Sequence, residues 1–102
     1  MEIRVAGRHA AVTDKARNAA DSGVARIAKV MGKVSSANVT LTAENARRLA
    51  EVTIAGKRHT IVAKADGFDQ DQVLQAAMQK AETQAQRYRT RQRTRKRKPL
   101  AQ

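Results

Sequence analysis

The apolar residues of this chain change their repeat twice, and that change limits the fold more than any other feature. Ala16, Ala20, Val24, Ile27 and Met31 are spaced four, four, three and four, as on one face of a helix. Between residues 38 and 64 the repeat drops to two in three separate runs. Val39 and Leu41 alternate with Asn38, Thr40 and Thr42; Ala50, Val52 and Ile54 alternate with Glu51 and Thr53; His59, Ile61 and Ala63 alternate with Thr60, Val62 and Lys64. These runs are rich in β-branched residues and read as strands. The three-and-four spacing returns at Leu74, Ala77 or Met78, Ala81, Ala85 and Tyr88. Ile3 and Val5 form a short alternation at the start and add a first strand.

Punctuation agrees with these spans. Thr13 is placed to cap a helix beginning at Asp14, and Gly32 is placed to end it. Gly56-Lys57 provides a turn between the second and third runs, while Glu44 to Arg48 reads either as a longer connection or as the tip of a long hairpin. Asp69, reinforced by Asp71, is placed to cap the last helix, and neither Gly nor Pro interrupts that helix before Pro99. The expected fold is therefore α+β, in the order β-α-β-β-β-α. An antiparallel four-stranded sheet carrying both helices on one face would bury every stripe. At 102 residues the chain fits one such domain, assigned to residues 1–98, with 99–102 expected to be a disordered tail.

The last helix leads directly into Arg87, Arg89, Arg91, Arg93, Arg95, Lys96, Arg97 and Lys98, with no carboxylate among them. The whole chain holds 21 basic and 9 acidic residues, so residues 1–86 carry thirteen basic groups against nine acidic ones, and the excess is concentrated at one end. Self-repulsion on this scale disfavours folding unless a polyanion takes up the charge. On a helix, Arg87, Arg91 and Arg95 form one ridge and Arg89, Arg93 and Arg97 another roughly opposite, which suits a channel walled by phosphates. Mutual repulsion leads to the expectation that the last turns fray in the free protein and order on RNA. A merely solubilising tail accounts less well for the clustering, the preference for Arg and the missing acidic partners. A membrane-surface helix needs an apolar face of Trp, Phe or Leu, and Arg89 to Lys98 has none. Phe68 and Tyr88 are the only aromatics, so base-stacking platforms of the kind used by single-strand RNA readers are not expected.

Little in the sequence points to catalysis. There is no cysteine, so thiolate metal sites, thiol nucleophiles and disulfides are excluded. His9 and His59 lack metal-ligand spacing, and Asp66, Asp69 and Asp71 lack the spacing and closing Glu of a calcium loop. No nucleophile elbow or phosphate-cradling glycine loop occurs. The chain reads as a non-enzyme without cofactor, metal or small-molecule substrate. Without a signal-like start or an apolar run of membrane length, it also reads as soluble and cytoplasmic.

Several strings, in order, resemble the short form of the ribosome hibernation promoting factors, or ribosome-associated translation inhibitors. They are Met-Glu-Ile-Arg-Val-Ala-Gly-Arg-His at 1–9, Val-Thr-Asp-Lys-Ala-Arg at 12–17, Ala-Glu-Val-Thr-Ile at 50–54, Gly67 with Asp69, and Lys80 and Gln84 before the basic run. The resemblance implies a fold like that of double-stranded RNA-binding domains. It further implies binding to rRNA of the small ribosomal subunit over the messenger channel, exclusion of messenger and tRNA, and inhibition of translation in idle ribosomes. The implied partners are the small subunit and the whole ribosome, bound by a monomer. By position, the implied RNA-binding residues are Lys80, Arg87, Arg89, Arg91 and Arg93 on the last helix and Arg17 and Arg26 on the first; Arg95 joins them on charge alone. Asp71 stands where the family usually has an aromatic, and Gln75 and Thr83 replace an acidic and a basic residue. The pairing domain of long members has no counterpart in this sequence. A general double-stranded RNA-binding module or a non-specific nucleic-acid tether remains the alternative, although Asp69 and Asp71 stand where the former opens its last helix with lysines.

Overall fold

The computed structural model describes residues 2–57 and 59–96, with side chains to Thr90. Its elements are β1 (Glu2–Arg8), α1 (Asp14–Met31), β2 (Val34–Glu44), β3 (Arg47–Gly56), β4 (Thr60–Gly67) and α2 (Gln70–Lys96). The four strands form one sheet in the order β1-β2-β3-β4. The expected order of elements is present, but the sheet is mixed rather than antiparallel, because β1 pairs with β2 in parallel. The intervening α1 accounts for this. A strand–helix–strand crossover returns the chain to the end from which it started, whereas the hairpins β2–β3 and β3–β4 reverse it.

The register lines up the period-two residues in rows across the sheet. Val5, Val39, Val52 and Ala63 form one row, and Ile3, Ala37, Ile54 and Ile61 the next. Apart from the half-buried Ile3 and Val5 on the edge strand, these residues are buried. The helices cover this face with Ala16, Ala20, Val24 and Ile27 from α1 and Val73, Leu74, Ala77, Met78, Ala81 and Ala85 from α2. Among the described residues no polar or charged side chain is buried, so the core is held by apolar packing alone.

Local signals set the ends of the elements. Thr13 Oγ1 accepts a hydrogen bond from the Ala16 amide at 3.0 Å, and Gly32, at φ 90°, donates its amide to the Ala28 carbonyl. Asp69 Oδ1 accepts from the amides of Asp71 and Gln72 at 2.9 and 3.3 Å. Residues 44–48 form the tip of a long hairpin, in which Glu44 pairs with Arg47 and Asn45 takes the positive φ of 53° that the tight reversal requires. Replacing Thr13 by Ala leaves that first-turn amide without its partner. The expected cost is about 1 kcal/mol, seen as a fall in melting temperature of about 4–8 °C by circular dichroism.

The helices run side by side in the same direction. Lys15 pairs with Asp71 near their starts at 3.2 Å, and Arg26 approaches Glu82 at 4.0 Å further along. Between these points Gly23 permits the close approach, since a Cβ there would stand 2.8 Å from Met78 Sδ.

Candidate nucleic-acid interface

Helix α2 is longer than the sheet it covers. Among the residues whose side chains are described its last buried one is Ala85, yet the helix continues from Gln86 to Lys96, about 16 Å of it. The helix extends through Lys96. Arg97, Lys98 and the expected tail lie outside the described residues, as do the side chains of Arg91, Arg93 and Arg95. The helical backbone nevertheless places Arg91 and Arg95 in one row with Arg87, four residues apart, and Arg93 one turn beyond Arg89. Arg87 and Arg89 are exposed.

A series of contacts along the edge strand β4 holds the emerging helix in place. Lys80 Nζ donates to the Lys64 carbonyl at 3.0 Å, and one turn later Gln84 Nε2 donates to the Val62 carbonyl at 2.9 Å. A further turn on, the Tyr88 ring stacks on His59, with centroids 4.0 Å apart and planes inclined by 2°. Carbonyls that an open sheet edge leaves without strand partners are thereby occupied by side chains. The same three contacts fix the direction in which α2 leaves the body. Lys80, expected as an RNA contact, is therefore also a structural donor, its exposed ammonium anchored to the strand.

Charge is sorted between the two ends of the molecule. Asp14, Glu44, Asp66, Asp69 and Asp71 cluster at the end where both helices begin. There Asp66 pairs with Arg47 and Asp71 with Lys15. The opposite end, where α2 emerges, presents exposed Lys29, Lys33 and Lys57 around the foot of the helix. Their elements meet there: the Lys57 amide donates to the Lys33 carbonyl at 3.3 Å, and the Gly56 amide donates to the His59 carbonyl at 2.9 Å. Among the described residues these three lysines, Arg87 and Arg89 have no carboxylate partner. Glu2, the carboxylate on the far edge strand at that end, is engaged by Arg4 at 3.3 Å. On the open face of the sheet Lys64 is matched by Glu51 at 3.3 Å, while Arg8, at the end where the helices begin, makes no ion pair among the described residues. The unbalanced positive field therefore lies at the end from which α2 projects.

Not all candidate residues gather there. Arg26 lies on α1 beside Glu82, just below the emerging helix, but its charge is partly offset. Arg17 is exposed near the start of α1, about 20 Å along the helix pair from Arg87, and does not join the cluster. The lysine collar is not visible in the sequence, because Lys29 and Lys33 flank the end of α1 while Lys57 follows β3, and only the pairing of β2 with β3 brings the two segments together. The period-two alternation places His59 within a strand. It lies instead just before β4, and its ring meets the only tyrosine of the chain.

Residues 3–93 match the family model described as sigma 54 modulation protein / S30EA ribosomal protein. The chain belongs to this family. No curated protein sequence matches it significantly. Among solved structures it is similar to the Protein Y N-terminal domain of Thermus thermophilus, with a TM-score of 0.75 and 22% identity, over 86% of this chain and 99% of that one. It is similar also to a ribosomal subunit interface protein from Coxiella burnetii, with a TM-score of 0.72 and 17% identity, over 88% and 99% of the two chains. At these identities the likeness is one of fold, and it extends to the six-element order and the two-helix layer that family membership leads one to expect. Among the described residues of this family member, no helix is long and apolar enough to cross a membrane.

Proposed function

We propose that this protein silences idle ribosomes by occlusion. In this reading it binds rRNA of the small subunit in the messenger channel near the decoding site, as a monomer in the cytoplasm and without a cofactor, and keeps messenger and tRNA out. One observation carries the reading: α2 continues past Ala85, at the end of the molecule where, among the described residues, no free carboxylate offsets its arginines. Membership in a ribosomal-protein family supports it, as does the likeness in fold to a ribosomal subunit interface protein. The body aims the helix, the arginines from Arg87 to Arg95 meet phosphates inside the channel, and the lysine collar meets phosphates at its mouth. Arg26 and Lys80 add charge beside the helix, and Arg17 contributes least because of its distance.

Sedimentation in sucrose gradients tests the proposal. Co-migration with small subunits and whole ribosomes is expected at moderate ionic strength, whereas equal affinity for plain RNA duplexes would favour a general RNA-binding module. If the eight basic residues of 87–98 all meet phosphates, log affinity falls against log salt with a slope on the order of −6 to −7. A slope near zero would mean that the charge is not what binds.

A further inference from the structure

Base recognition was not expected of a chain with one Tyr, one Phe, two His and no Trp. Two of these four rings nevertheless meet, stacked and nearly parallel, at the point where α2 leaves the body. We propose that the His59–Tyr88 pair is a stacking site for one unpaired nucleobase of the bound RNA, with Arg87 beside it to take the adjoining phosphate. This inference rests on the RNA-binding reading above and adds a base contact to it.

Three features carry the inference. Both rings are half-buried, so each retains accessible surface after stacking on the other. They border an open recess of about 200 Å³ shared with Gln84 and Arg87, which brings two stacked rings, an amide and a guanidinium to one place. Among the described residues, the Tyr88 hydroxyl and the His59 ring nitrogens make no hydrogen bond, which leaves donors and acceptors for the edge of a nucleotide. The site also stands at the foot of the cationic helix, where an RNA strand followed by its phosphates must pass. Stacking tolerates any base because every base has a π-face, so the site confers a preference for unpaired RNA rather than for a sequence. A pair serving only to brace α2 would need none of the neighbouring guanidinium or open recess.

Tyr88 is the only tyrosine and the chain has no tryptophan, so its ultraviolet emission reports on this site alone. Titration with a single-stranded RNA oligonucleotide is expected to quench that emission, while inorganic polyphosphate at the same salt concentration leaves it unchanged. In parallel, Tyr88→Leu is expected to weaken binding to the oligonucleotide and to small subunits about tenfold with an unaltered salt slope. Tyr88→Phe, which keeps the ring, binds as the original protein does. Arg87→Gln instead lowers the slope by about one contact's worth. Equal quenching by polyphosphate, undiminished binding by Tyr88→Leu with its helix content intact, or a slope change in that variant would overturn the stacking site. Failure of the original protein to sediment with small subunits would overturn the ribosomal reading alone, since the oligonucleotide titration decides stacking by itself.

Discussion

Replacing Arg87, Arg91 and Arg95 together by Ala is expected to lower affinity for the small ribosomal subunit by about two orders of magnitude at about 0.15 M salt. The magnitude follows from counterion release. Each phosphate neutralised contributes about 0.7–0.9 to the slope of log affinity against log salt, so three lost contacts remove about two to three units. The fold is expected to survive, because Arg87 is exposed, all three positions lie beyond the last buried residue, and Ala favours helix. Circular dichroism should therefore show an unchanged melting temperature, while inhibition of translation in vitro disappears. A variant that still inhibits fully would show that the row of arginines is dispensable and would remove the basis of the proposed function.

The body of the molecule was legible in the sequence because each segment signals its own structure. Thr13, Gly32 and Asp69 are caps that act within four residues, and the apolar repeats state which face of each element is buried. What was not legible depends on how distant segments meet. The three-and-four stripe of α2 does not include Val73, yet Val73 is buried beside Leu74, because a helix lying over two strands presents a wider apolar face than one row of contacts. The parallel pairing of β1 with β2 follows from the crossover through α1, which local alternation does not reveal. The interface divides in the same way. The arginines of α2 were visible as a run, whereas the lysine collar and the His59–Tyr88 stack exist only once β2, β4 and both helices are assembled. Arg17 shows the converse, a basic residue matched by position that the fold sets apart from the others.

Whether the arginine run acts as an aimed rod or as a loose cationic tether is separable by a substitution that changes no charge. Gln86 is exposed and follows Ala85, the last buried residue of α2, so Gln86→Pro removes no packing from the core. It does remove the amide that would bond to the Glu82 carbonyl, and its ring collides with that carbonyl, disfavouring a straight helix by about 3 kcal/mol. If binding requires the straight form, affinity for small subunits falls on the order of a hundredfold, since about 1.4 kcal/mol corresponds to a factor of ten. A tether would lose almost nothing, because all of its arginines remain attached at the same point of the chain. Binding to a plain RNA duplex serves as the internal reference: it depends on charge rather than direction and is expected to stay close to that of the original protein. Gln86→Ala, which changes the same side chain but keeps the amide, should bind small subunits normally. Wild-type silencing by Gln86→Pro would instead mean that the contacts of Lys80, Gln84 and Tyr88 with β4 brace a helix whose direction the ribosome does not require.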